Sequence, residues 1–213
     1  MKPLVKTVIL LLFLSIPVCM EAQTLEESLS KTYLQMDSIK SLSDMMSVSG
    51  QFDMIADKWS NEWSANYYAA YSKVIASFIV QDVKKKYLFL DAADKYLEKV
   101  MSLGNENDET YVLAALITSA RIAVDGQNRG MQYSGIVSQY LGKAEKINPD
   151  NPRIFYLKGS SLFYQPEMYG GGKDKAKPFL EKAKELFSKE SKTSVLKPHW
   201  GEKQNLDYLK QCE

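Results

Sequence analysis

One five-residue phrase is written three times: YLEKV at 96–100, YLGKA at 140–144 and FLEKA at 179–183. Counting outward from each copy gives Ala93, Leu97 and Val100, then Val137, Leu141 and Ala144, then Ala176, Leu180 and Ala183. Steps of four and three residues place each trio on one face of a helix, and the small residues at its ends let a second helix approach closely. Each copy therefore predicts the buried face of a packed helix. An apolar helical stretch precedes each one, starting at Trp63, Glu109 and Pro152, so the units are helix pairs. Strand-like alternation is missing, which makes the expected class all-α.

Turn-forming residues support the division. DGQNRG at 125–130 and PEMYGGG at 166–172 are read as the loops inside the second and third pairs, and Pro149 and Pro152 bracket the junction between those pairs. Asn151 is placed to cap the next helix, with Pro152 at its first position. This pattern resembles the tetratricopeptide repeat (TPR) family, in which two antiparallel helices recur with a small residue in the first helix and an A-x3-F-x2-A-x4-P signature in the second. Val137, Leu141, Ala144 and Pro149 follow that spacing, as do Ala176, Leu180 and Ala183, with Gly159 at the small position of the third unit. The first unit matches least well. Copies start at 96, 140 and 179, so they lie 44 and 39 residues apart, and the excess over a 34-residue repeat is assigned to the inter-helix loops. More narrowly, the stretch from Asn151 to Ala183 and the ending KPHWGEKQNLDYLKQC are similar to a group of exported bacterial TPR-like proteins. The resemblance implies a right-handed solenoid of about three helix pairs, with repeats near 60–104, 108–149 and 151–188.

The flanks complete the expected solenoid. Thr24 and Glu27 have capping-box spacing, and Leu25, Leu29, Tyr33, Met36 and Ile39 continue at helical intervals, so an N-terminal helix is expected against the first repeat, with a second short helix near Gly50. Residues 196–213 read as a C-terminal cap that offers Leu206 and Leu209 to the last repeat.

Lys2 and Lys6 flank a short basic start, Val8 to Val18 is almost wholly apolar, and polar sequence follows from Glu21, which is the pattern of a secretory signal peptide. The apolar run is about half of the roughly 20 residues that a membrane-spanning helix needs. Cleavage is expected after Ala22, giving a single domain over 23–213 in the periplasm or at the outer membrane. Acylation of Cys19 as a lipoprotein is the rival reading, opposed by Val18 where a small residue is wanted. Removing residues 1–22 takes away Lys2, Lys6 and Glu21 and leaves 25 basic and 25 acidic residues, so no basic footprint for nucleic acid remains. Cys212 is then the one cysteine left. It is either packed under the terminal helix or a free thiol available for an intermolecular bridge.

Little in the chain carries catalytic chemistry. His199 is the sole histidine and has no partner set for a structural zinc site. YGGGKDK is not a phosphate loop, because Glu167 stands where the first glycine belongs and Asp174 replaces the Ser/Thr after Lys173. No cofactor, metal ligand set or catalytic residue is assigned.

Aromatic residues are the functional signal. In the TPR family the first helix of each pair lines a concave groove, and with Gly159 as the buried small position, Arg153, Tyr156, Ser160 and Phe163 are expected to face it. Tyr67 and Tyr71 of the first repeat are further groove candidates. The leading expectation is a non-enzymatic scaffold that holds a peptide or protein partner of the cell envelope in this groove. The alternatives are a small-ligand-binding protein of the envelope, or an enzyme using carboxylates or tyrosines in no recognised motif.

Overall fold

A computed structural model describes residues 23–104 and 107–213. The signal peptide, its cleavage at Ala22 and Cys19 lie outside the described residues. Nine α-helices follow in order among the described residues: α1 (Leu25–Met36), α2 (Leu42–Lys58), α3 (Trp63–Ile79), α4 (Val83–Ser102), α5 (Asp108–Val124), α6 (Gly126–Ile147), α7 (Pro152–Tyr164), α8 (Lys173–Phe187) and α9 (Glu202–Gln211). A short 3₁₀ turn, Glu167–Tyr169, joins α7 to α8.

Local chemistry fixes most of the helix starts. Thr24 accepts from the Glu27 N–H while Glu27 reaches back to the Thr24 N–H, so both of these otherwise orphaned donors are satisfied. Ser41 and Asp44 make the same box at the start of α2. This second helix runs for 17 residues and contains Gly50 in its interior, whereas the sequence reading began a short helix near Gly50. Asn151 caps α7 by accepting from the Arg153 N–H, and Pro152 opens the helix.

The largest helix contacts are α3 on α4, α5 on α6 and α7 on α8, which makes an all-α stack of helix pairs. The recurring phrase does what its spacing requires. Ala93, Leu97 and Val100 of α4, Val137, Leu141 and Ala144 of α6, and Ala176, Leu180 and Ala183 of α8 are all buried. Each large apolar side chain so buried contributes roughly 1.5–3 kcal/mol. At the third pair, a Cβ on Gly159 would lie 2.7 Å from both Cγ and Cδ2 of Leu180, so the glycine is what allows α7 and α8 to close on each other.

One loop assignment needs correction. DGQNRG is not a loop: Asp125 caps α6 through the Asn128 N–H, and Gly126 and Gly130 belong to that helix. The extra length of the second unit is therefore helical, since α6 extends over 22 residues. The Gly-rich 170–172 segment remains a turn into α8.

The first helices of the pairs form an inner layer, with α3 touching α5, α5 touching α7 and α1 reaching α3. Residues 188–201, of which the sequence reading placed 196–201 in a terminal cap and left 189–195 unassigned, form an irregular strap across that layer. The Tyr68 hydroxyl on α3 donates to the Lys197 carbonyl at 3.0 Å, Arg153 on α7 donates to the Pro198 carbonyl, and Ser194 Oγ donates to Glu26 on α1 at 2.5 Å. Gly201 then turns the chain at φ 107°, a left-handed conformation that favours glycine, and α9 packs back on α8 and α7. Asn205 secures that return by donating to the Leu180 carbonyl at 2.9 Å.

Candidate functional site

The strap decides what becomes of the expected groove. Arg153 is fully buried and binds Glu190 at 2.6 Å and Glu109 at 3.2 Å. Tyr67 is also fully buried, donating to Glu109 Oε2 at 3.1 Å and accepting the Trp200 indole N–H at 2.8 Å. Tyr71 stacks on Trp200 with ring centroids 5.1 Å apart. Tyr156 lies 6.2 Å from the rings of both Trp200 and Tyr208, and Phe163 lies 5.0 Å from Tyr208. Ser160 donates to the Leu157 carbonyl of its own helix. Apart from Ser160, these side chains meet the strap or α9, so the open trough expected over α3 and α7 is covered by the chain's own C-terminal segment.

The burial has electrostatic consequences. Glu109 is pushed up to about 7, chiefly by loss of water, against the pull of Arg153. Glu190 is also raised by burial. Arg153 Nε and Glu190 Oε2 are buried without a hydrogen-bond partner.

What stays open lies on either side of the strap. One cleft of about 650 Å³ is bordered by Asp108, Glu109, Asp150 and Glu190, with the amides of Asn107 and Asn148. Lys182, Lys189 and Lys197 face these groups, and Trp63, Leu186 and Leu196 complete the lining. The other cleft, about 540 Å³, runs between α1, α3 and the strap. Both volumes fall in the range of small-ligand sites, roughly 300–1,000 Å³.

The second cleft is the better candidate because three aromatic side chains, Tyr33, Tyr71 and Trp200, line it, against Trp63 alone in the first. Tyr71 and Ile75, one helical turn apart on α3, form the floor; Tyr33 and Met36 of α1 form one wall, and Val195 and Trp200 of the strap form the other. Tyr33 is held in place edge-on to Tyr68, with centroids 5.4 Å apart, and burial pushes its phenol up to about 12. The rim is charged. Lys192 pairs with Glu202, while Lys203 makes no ion pair among the described residues. His199 lines the same cleft, with both ring nitrogens shielded from solvent. Burial lowers its pKa, with the positive charges of Arg153 and Lys192 adding to the effect and backbone hydrogen bonds at Ser194 and Pro198 opposing it.

Of the residues that line this cleft, the sequence reading nominated Tyr71 and did not nominate Ile75, Trp200, Tyr33 or Met36. The signal available was the apolar helical spacing of α1 and α3 together with a tryptophan in PHWG, a segment too short to be amphipathic in its own right.

Among the described residues no helix is long and apolar enough to cross a membrane, and no three or more His, Cys, Asp or Glu side chains are grouped to hold a metal ion. No protein-family model matches the chain, and no curated protein matches it. Among solved structures the chain is similar to the HusA haemophore from Porphyromonas gingivalis, at 32% identity and a TM-score of 0.79, over 91% of this chain and 94% of that one.

Proposed function

The chain belongs to the family of the HusA haemophore, and from that premise we propose that it is an exported, non-enzymatic carrier of haem or a closely related tetrapyrrole. The cargo sits in the cleft between α1, α3 and the strap. One observation carries this reading: Tyr33, Tyr71 and Trp200 line that cleft together with Met36 and the half-buried Ile75, and charged side chains border it. A tetrapyrrole has the matching chemistry, an apolar disc with carboxylates at one edge. Its disc gains from leaving water and from lying against aromatic rings, and Lys203, which makes no ion pair among the described residues, is the rim cation open to a carboxylate, beside the acidic Glu26 and Asp37.

The peptide-holding scaffold expected from the sequence has less support. Its groove residues Arg153 and Tyr67 are fully buried beneath the strap, whereas the cleft beside the strap is open. A carrier needs only binding and release, and the walls of this cleft supply apolar area and aromatic rings, which are binding chemistry.

The direct test is to titrate haem into the purified chain and follow both its absorption spectrum and the tryptophan emission. The proposal expects a saturable change with one haem per chain and strong quenching, because Trp200 lines the cleft. A spectrum that stays that of free haem at micromolar concentrations overturns it.

A further inference from the structure

We propose that the edge of the stack formed by the junctions within the helix pairs is a docking surface for an anionic lipid membrane. This surface is separate from the clefts and does not depend on the carrier reading. Consecutive helices from α1 to α8 are joined by short connections and pack on each other in chain order, so their directions alternate and the junctions at 80–82, 125 and 165–172 come to one edge. Side-chain contacts tie that edge together. The guanidinium of Arg129, at the start of α6, lies 4.9 Å from the ring centre of Tyr87, near the start of α4, and the Tyr208 hydroxyl, near the end of α9, bonds to that of Tyr164 at the end of α7 at 3.1 Å.

Large apolar side chains stand out into water here. Phe78 and Val83 flank the first junction, Met131 follows the second, and Tyr164, Met168 and Tyr169 surround the third; all are exposed, Met131 by 95%. Single exposed apolar groups are ordinary, whereas their concentration on one edge marks an interaction surface. The opposite edge shows Met54, Ile147 and Leu196, and sets Asp108, Asp150 and Glu190 among its lysines. Cations are interleaved with the protruding apolar tips. Lys84, Lys85 and Lys86 follow Val83, Lys173, Lys175 and Lys177 follow the third junction, and none of these makes an ion pair among the described residues. Against these six lysines stand Asp82, Glu167 and Asp174, so the two segments carry an excess of positive charge in a chain that is neutral without residues 1–22. This combination fits lipid better than protein. A protein partner wants a packed apolar core or a groove, and both clefts lie elsewhere. Separate apolar tips between long flexible cations suit a headgroup layer, which takes up each tip singly while its phosphates meet the ammonium groups. Tyrosine and lysine both fit that boundary, each with an apolar body and a polar end.

The experiment mixes the purified chain with vesicles of phosphatidylcholine alone, or of phosphatidylcholine and phosphatidylglycerol together, and measures how much protein sediments with them. Two variants probe the two components of the surface: Lys85→Glu with Lys175→Glu, and Met131→Ser with Met168→Ser. All four side chains are exposed and outside the candidate cleft, and circular dichroism establishes that each variant is folded. The wild type should sediment with the mixed vesicles and not with phosphatidylcholine alone, and added salt should release it. Each folded variant should bind the mixed vesicles on the order of tenfold more weakly or worse. A wild type that stays in solution with the mixed vesicles overturns the proposal whatever the variants do, and leaves this edge to a protein partner. Equal binding to both kinds of vesicle, or binding that either folded variant retains in full, also overturns it. None of these results bears on the haem titration, which reads the cleft.

Discussion

The indole N–H of Trp200 donates to the hydroxyl of Tyr67 at 2.8 Å, joining residues 133 positions apart in the chain. This bond, with the Trp200 ring stacked on Tyr71, pins the strap to α3 and shapes one wall of the cleft. Trp200→Ala should cost about 3–5 kcal/mol, as expected for emptying a buried aromatic site. Trp200→Phe keeps a stacking ring and loses the donor, so about 1 kcal/mol is expected. Urea denaturation measures both, and limited proteolysis should cut the alanine variant first within 188–201. Equal stabilities for the two variants would show that the ring does not anchor the strap.

Gly159 and Leu180 should be energetically coupled across the α7–α8 contact. Gly159→Ala drives a methyl into Leu180, with the nearest atoms at 2.7 Å, and should cost about 1–3 kcal/mol. Leu180→Ala should cost about 2–5 kcal/mol by leaving a cavity. In the double variant the new methyl occupies part of that cavity, so its loss should be clearly smaller than the two single losses combined. Strict additivity in a double-mutant cycle contradicts the packing described.

The buried carboxyl of Glu109 predicts a pH dependence. Its folded pKa of about 7 lies above the ordinary value of 4.5, so between these values the folded chain holds a proton that the unfolded chain has lost. This contribution is complete below about pH 4.5 and disappears as pH rises through about 7. On the order of 2–3 kcal/mol is involved. Glu109→Gln cannot titrate and should flatten the slope. Comparing urea midpoints of the two proteins at pH 5 and pH 8 isolates the effect, and a wild type that gains stability over this range relative to the variant would falsify it.

The architecture was legible where it is local. The trio Ala176, Leu180 and Ala183 reveals its helix because a 3.6-residue period needs nothing beyond its own segment, and Thr24 with Glu27 announces α1 in the same way. Asp125 to Gly130 misled because glycines weaken an isolated helix by about 1 kcal/mol each, a cost that packing of α6 on α5 offsets. Ser41 and Asp44 carried a readable capping box for α2 that was overlooked in favour of Gly50. The strap was illegible for a different reason. Its contacts to Tyr67, Tyr68 and Arg153 span 45 to 133 residues and follow no period, so nothing in PHWG shows that it covers α3 and α7. The site inherits that limit: Tyr71 could be nominated from its own helix, but the cleft exists only because the strap runs beside it.

The central claim is that the cleft over Tyr71 and Ile75 holds a tetrapyrrole. It is tested most directly by titrating iron-free protoporphyrin IX into the wild-type chain and into Ile75→Glu, and reading porphyrin and tryptophan fluorescence. Ile75 is only partly buried, so the variant should fold, yet it sets a carboxylate on the apolar floor against the disc. The account predicts saturable one-to-one binding to the wild type at about micromolar Kd or tighter, weakened on the order of tenfold or more by Ile75→Glu. Wild-type binding that Ile75→Glu leaves unchanged would contradict the site, and no binding to the wild type would contradict the function.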